Sequence, residues 1–376
     1  MVAGLPLIDI SPLLGETIDP ASAAVRKCAA EIDSACRQSG FFRITNHGVP
    51  RELRARLDRL SREFFSLADT EKAKCAMPLA GSAWRGWFGV GGELTSGVPD
   101  RKEGLYIGEQ LSATDPRVVA RTPLHGANLY PQRPADLGAC ADQWFAAMRN
   151  LGVALMRGVA NGLQMPADWF AKTIAREPTC LFRIFHYPPI DASRKPQDGI
   201  SEWGVAEHTD YGLLTILAQD DCGGLQVRMP GAATDNSVDD GETWLEVPAE
   251  PDIFVVNIGD MLDLLTAGRY RSTPHRVRNV SGRERMSYPF FIDPSWDAVV
   301  EPLPLAGTPP AEGRTEGPYA GVAAPPITSD PPDHHWHRRL ILPVFAPQAV
   351  AKYEQSTRDL CNGLIDEFID KGKADA

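Results

Sequence analysis

From residue 180 onward the chain is cut into short apolar or alternating runs, at 181–187, 213–218, 224–229, 243–248, 253–258, 273–279 and 286–292, each bounded by Gly, Pro, Asp or Asn. Runs this short, with turn formers between them, suit strands and not helices. A strand with one apolar face must bury it against another layer, so the succession points to a β-sandwich or barrel.

Upstream the texture differs. Residues 5–10 alternate around a proline and read as a short strand, 20–38 as an alanine-rich helix ending at Gly40, and 41–46 as a strand broken by Gly48-Val49-Pro50. A second helix is expected over 52–67. Trp144, Met148, Leu151, Leu155 and Val159 recur at steps of three and four, which predicts a scaffold helix over 137–163. The Gly-rich stretch 81–108 lacks the form of a phosphate loop and reads as a loop over a site. Asp260 precedes a short apolar segment and is expected to cap a single short helix.

Residues 302–332 are proline-rich and read as an irregular connector. In 348–369, Val350, Tyr353, Leu360, Leu364 and Phe368 share one helical face, which packs back on the body or forms a dimer contact. A monomer or a homodimer is expected. The chain thus divides into an N-terminal region (1–120), scaffold helices (121–179), a β core (180–300), and the connector with its C-terminal helix (301–376).

A net charge of −11 argues against nucleic acid or an anionic membrane surface as partner. Cysteines at 28, 36, 75, 140, 180, 222 and 361 form neither a Cys-x-x-Cys pair nor an even spacing. Reduced thiols are the natural reading. No basic region followed by an apolar core opens the chain, and no apolar run approaches the roughly 18 residues of a membrane span. A soluble, cytoplasmic protein is expected.

Chemistry concentrates between Trp203 and Ser287. His208 and Asp210 are separated by one residue, and a second histidine follows at His275. Residues i and i+2 of a strand share a face, so the first pair would reach one metal ion together. Two histidines and one carboxylate are the facial set that holds redox-active iron and leaves the opposite side open. Arg285 and Ser287 repeat the period-2 spacing and offer a guanidinium beside a hydroxyl, a cradle for a carboxylate.

Any one of these elements alone is weak, but their order is specific. His208-x-Asp210, Gly224-Leu-Gln-Val227, Asn257-Ile-Gly-Asp260, His275, and Arg285-x-Ser287 followed by Pro-Phe-Phe resemble the iron(II)/2-oxoglutarate oxygenases related to isopenicillin N synthase. The segment 39–49, Ser-Gly-Phe-Phe-Arg-Ile-Thr-Asn-His-Gly-Val, is similar to that family's opening signature.

The resemblance implies a double-stranded β-helix, or jelly roll, mostly β with flanking helices and a helical N-terminal region. It implies Fe(II) held by His208, Asp210 and His275, and 2-oxoglutarate held by Arg285, Ser287 and Tyr187. Dioxygen and a small molecule complete the reaction, in which the oxo acid leaves as succinate and CO2. Hydroxylation and desaturation are the leading modes, with ring formation and fragmentation of the oxo acid as variants. His47 has a structural role in the family. An oxidase that uses O2 without 2-oxoglutarate is the alternative within the class, because isopenicillin N synthase spends the same Arg-x-Ser on its substrate. A non-catalytic metal- or ligand-binding barrel is the alternative outside it.

For the substrate, period-2 alternation from Tyr187 sends Phe185 and Arg183 to the metal side. A buried arginine needs a partner, either a protein carboxylate or an anionic group of the substrate. Arg85 and Trp87 lie in the stretch that borders the pocket in the family, and Tyr211 and Phe291 adjoin the two ligand motifs. His186 faces the opposite side as a structural histidine. His334, His335 and His337 read as a solvated face.

Overall fold

The computed structural model describes residues 4–15, 18–95, 97–189, 202–229 and 243–305. They belong to a unit spanning Met1–Pro310. The C-terminal helix expected from the sequence, most of the connector, and His334, His335 and His337 lie outside the described residues.

In chain order the strands are β1 (Leu7–Asp9), β2 (Phe41–Thr45), β3 (Gly86–Phe88), β4 (Leu94–Thr95), β5 (Val98–Pro99), β6 (Glu103–Gly108) and β7 (Pro178–Tyr187), then β8 (Val205–His208), β9 (Leu214–Gln219), β10 (Leu225–Met229), β11 (Thr243–Glu246), β12 (Phe254–Ile258), β13 (His275–Val277) and β14 (Arg285–Ser295). One sheet has the order β1-β2-β12-β9-β14-β7-β6-β3; the other has the order β11-β10-β13-β8. Strands β4 and β5 pair with each other. Within the two sheets every ladder except β1–β2 is antiparallel.

The large sheet has two unlike faces. Along β14, Met286, Tyr288, Phe290 and Ile292 join Phe182 and Ile184 of β7 in an apolar cluster with the helices Ala23–Gln38, Arg51–Phe65 and Leu137–Gly162. Trp144 of the long helix is fully buried there, its ring centroid 5.9 Å from Phe254 and 6.2 Å from Tyr288. Removing such a side chain costs about 3–5 kcal/mol. The other face carries Phe41, Tyr106, Phe185, Tyr187 and Val255, which pack on Leu225, Val227 and Val277 of the small sheet. Two sheets closed over a shared interior make the jelly roll expected from the sequence.

The strand runs are legible to within a few residues, and the helices depart only at their ends. The first begins at Ala23, because the Ser22 hydroxyl accepts from the Val25 amide and caps it. Two expectations are corrected. The stretch 81–108 is not a loop throughout: β3 and β6 form the edge of the large sheet. Gly104 makes room for neighbouring rings, since a Cβ there would come within 2.6 Å of Phe88. Asp260 is not a cap. Gly259 is the N-cap of the helix Asp260–Leu265, without a side-chain bond, and the Asp260 carboxylate accepts from Thr209 Oγ1 at 3.1 Å.

Candidate active site

β8 and β13 are neighbours in the small sheet, and His208 stands directly opposite His275 with ring centroids 4.2 Å apart. Each ring is oriented from behind. His208 Nδ1 donates to Ala206 O at 2.8 Å and His275 Nδ1 to Thr273 O at 3.1 Å. That leaves the lone pair of each Nε2 free, the two atoms lying 3.7 and 3.8 Å from Asp210 Oδ1. The ligand atoms of His208, Asp210 and His275 all lie within 4.8 Å of one another, a spacing that a metal ion bridges.

Asp210 is not on the strand with His208; β8 ends at His208, and Asp210 lies in the turn that follows. The turn is laced to the helix Asp260–Leu265, since Asp260 N donates to Asp210 O at 2.8 Å and Met261 N to Tyr211 O at 2.9 Å. The outer carboxylate oxygen, Oδ2, accepts from Thr215 Oγ1 at 2.5 Å and from Asn257 Nδ2 at 2.8 Å. Burial alone would raise the Asp210 carboxyl, but the facing His275 and His208 and these two hydrogen bonds hold it below its ordinary value. Burial, with the neighbouring His275, pushes His208 well below the usual imidazole range and so favours the neutral, metal-binding form.

Across the sandwich, Arg285 is fully buried. Its Nε donates to Gly223 O at 2.6 Å, Nη2 donates to Gln219 Oε1 at 2.8 Å, and the guanidinium lies 4.7 Å from the Tyr187 ring centre. Nη1 is buried with no partner, as is Gln219 Nε2. The Tyr187 and Ser287 hydroxyls lie 3.3 Å apart on the same face. A buried guanidinium with an open donor beside two hydroxyls is a site for a carboxylate, because an unpaired buried donor costs about 1–3 kcal/mol.

Arg183 and Phe185 follow Tyr187 on this face. The Arg183 guanidinium lies 4.2 Å from the Tyr106 ring centre and 4.8 Å from that of Phe291. Its Nε is buried without a partner, as is Tyr106 Oη. Arg85 lies against Gly108, where a Cβ would come within 1.9 Å of Nη2. Its Nη2 donates to Leu124 O at 2.7 Å, its Nε is unpaired, and burial together with the Arg183 charge pushes it down to about 10. Tyr211 is 37% exposed on the turn after Asp210.

Trp87 is not brought to this face. Pairing with Leu105 turns it to the helix side, where its indole donates to Glu103 Oε2 at 2.9 Å beside Lys72. His186 is on the same side, with Nδ1 bonded to Glu103 Oε1 at 2.8 Å, and His47 stacks on Phe254 at 3.9 Å, each as a structural histidine. Thr215, Asn257, Gln219 and Asp293 escaped the sequence reading. For Asp293 a signal existed: it continues the period-2 row of Arg285, Ser287 and Phe291.

Two family descriptions match the chain. One is the N-terminal region of the non-haem dioxygenase in morphine synthesis, over residues 5–133; the other is the 2OG-Fe(II) oxygenase superfamily, over 178–294. A probable iron/ascorbate oxidoreductase of Dictyostelium discoideum is 42% identical over 329 residues, covering 83% of this chain and 86% of its own. A homoarginine-6-hydroxylase of Glycine max is 35% identical over 306 residues, covering 80% of this chain and 88% of its own. Among solved structures, a full-length Neurospora crassa protein in complex with alpha-KG aligns with a TM-score of 0.66 and 27% identity, over 82% of this chain and 90% of its own.

Proposed function

As a member of the 2OG-Fe(II) oxygenase superfamily, the chain is an iron(II)- and 2-oxoglutarate-dependent dioxygenase that oxidises a small molecule with O2, and we propose that His208, Asp210 and His275 hold its iron while Arg285, Ser287 and Tyr187 hold its oxo acid. When bound, the iron and the oxo acid supply the oxidation, with 2-oxoglutarate leaving as succinate and CO2. Neither alternative raised by the sequence, the oxidase without 2-oxoglutarate or the non-catalytic barrel, is favoured beside relatives named as hydroxylases and a neighbour solved with alpha-KG.

The observation that carries the residue assignment is the open, buried Nη1 of Arg285 next to the Ser287 and Tyr187 hydroxyls, on the interior shared with the three ligand atoms. The chain's own part is to hold and orient. Ala206 and Thr273 fix the imidazoles, and Thr215 and Asn257 fix the carboxylate. Arg285 fixes the distal end of the oxo acid.

Arg183, Phe185, Phe291 and Arg85, with Tyr211 on the adjoining turn, border the substrate in this reading. The unpaired Nε atoms of Arg183 and Arg85 support a substrate with an anionic or acceptor group. Among the described residues no helix is long and apolar enough to cross a membrane, and Cys28, Cys36, Cys75, Cys140, Cys180 and Cys222 are free thiols. A reducing, cytoplasmic setting suits them.

Anaerobic titration of 2-oxoglutarate into Fe(II)-loaded protein tests the assignment. The weak visible band of a chelated oxo acid is expected for the native chain and not for His275→Ala. Retention of the band by that variant would overturn the ligand set.

A further inference from the structure

The substrate end of the pocket carries opposite charges that do not meet. Arg183 is clamped between the Tyr106 and Phe291 rings and, among the described residues, makes no ion pair. Asp293, two residues beyond Phe291 on the same face of β14, makes none either, and among the described residues no donor reaches its carboxylate. The Arg183 charge nevertheless acts on the Asp293 carboxyl. A Cβ at Gly212 would come within 2.0 Å of Asp293 Oδ1, so this carboxylate rests on the segment that follows Asp210.

We propose that this end of the pocket recognises an amphoteric small molecule of the α-amino acid type, with Arg183 taking its carboxylate and Asp293 its protonated amine. The inference rests on the reading of Arg183 as a substrate residue and names the second half of the recognition. A guanidinium and a carboxylate that are half-buried and, among the described residues, without an ion pair each carry a cost, and one ligand with an acceptor and a donor relieves both. A ligand with only the carboxylate would forgo the ion pair that an ammonium group makes with Asp293. Selection against plain acids is therefore built into the site. The ring clamp leaves the edge of the Arg183 guanidinium open, which is the edge that carboxylates engage. Burial raises the Asp293 carboxyl to about 7, against the opposing effect of Arg183. An entering ammonium group is what would restore its charge.

The test uses the full chain loaded anaerobically with Fe(II) and 2-oxoglutarate, whose visible band reports ligand entry beside the metal. The probes are the twenty common L-amino acids, their 2-deamino carboxylic acids and their decarboxylated amines. At least one amino acid is expected to shift the band and, once air is admitted, to stimulate succinate release. Its deamino acid and its amine should bind tenfold or more weakly. In Asp293→Asn the preference for the amino acid over its deamino acid should fall to about one. Deamino acids binding the native protein as tightly as the amino acids, or no amino acid binding, would overturn the proposal, as would an unaltered preference in Asp293→Asn. The comparison on the native chain decides by itself if the variant does not fold. Absence of the band before any probe is added marks failure of the underlying iron and oxo-acid reading instead.

Discussion

Thr215 Oγ1 lies 2.5 Å from Asp210 Oδ2 and thereby leaves Oδ1 as the carboxylate oxygen that faces His208 and His275. Thr215 is on β9 and Asn257, the second donor, on the neighbouring β12, where the two residues are paired. The orientation of the carboxylate is thus set by a strand pair of the large sheet, while the imidazoles come from the small one.

Thr215→Val and Asn257→Ala should each weaken iron binding by about 10–100-fold, the usual effect of removing a hydrogen bond to a metal-holding side chain. Competition against a chromophoric chelator measures this without reference to turnover. Iron affinity equal to that of the native chain in both variants would show that the bonds to Oδ2 do not orient the ligand.

Arg285→Lys keeps the charge but loses the planar fork that now binds Gly223 O and Gln219 Oε1 and leaves Nη1 open. The apparent affinity for 2-oxoglutarate should fall about 10–100-fold, corresponding to roughly 1.5–3 kcal/mol for a hydrogen bond to a charged group. The KM for the primary substrate should change little. A shift in the substrate constant with the oxo acid unaffected would assign Arg285 to the substrate.

The candidate metal set and the candidate cosubstrate residues could be singled out because they sit in an ordered series of short motifs, each with a chemical reason for its spacing, and the fold brings each group together. Period-2 reasoning also placed Arg183, Phe185 and Tyr187 on one face. What stayed hidden depends on strand order. Nothing local says that Thr215 and Asn257 are paired, or that both lie behind Asp210. Strands β3 and β6 were missed because Gly86, Gly104 and Gly108 weaken a strand signal, though each glycine admits a side chain or backbone that any Cβ would displace. Trp87 was misplaced for the same reason: without the register, its face could not be assigned.

Trp87→Phe should therefore behave as a structural change. It removes the indole donor to the Glu103 carboxylate and part of the ring volume, costing roughly 1.5–3 kcal/mol and several degrees in Tm. The substrate KM should stay within about twofold of the native value. A tenfold rise in KM with an unchanged Tm would return Trp87 to the pocket.

Arg183→Ala should raise the substrate KM by tenfold or more, since it removes a stacked, unpaired guanidinium from the candidate substrate end. Iron content and the 2-oxoglutarate dissociation constant separate this from a general collapse of the site. Loss of iron in step with the loss of substrate binding would indicate a structural role.

Asp293 also makes a prediction about stability. Its carboxyl stands at about 7 in the fold and near the usual carboxylate value, about 4, in the unfolded chain. Between those values the folded state binds the extra proton, so ∂ΔG/∂pH is negative and this group's contribution to stability falls as pH rises, levelling off above about 7. Asp293→Asn lacks that dependence. The stability of the variant relative to the native chain should accordingly increase between pH 5 and pH 8, by roughly 2–3 kcal/mol as an upper bound at 1.36 kcal/mol per unit. Urea denaturation of the metal-free proteins at the two pH values measures the difference. A relative stability that is flat across this range, or that moves in favour of the native chain, would mean that the Asp293 carboxylate already has a partner in the fold.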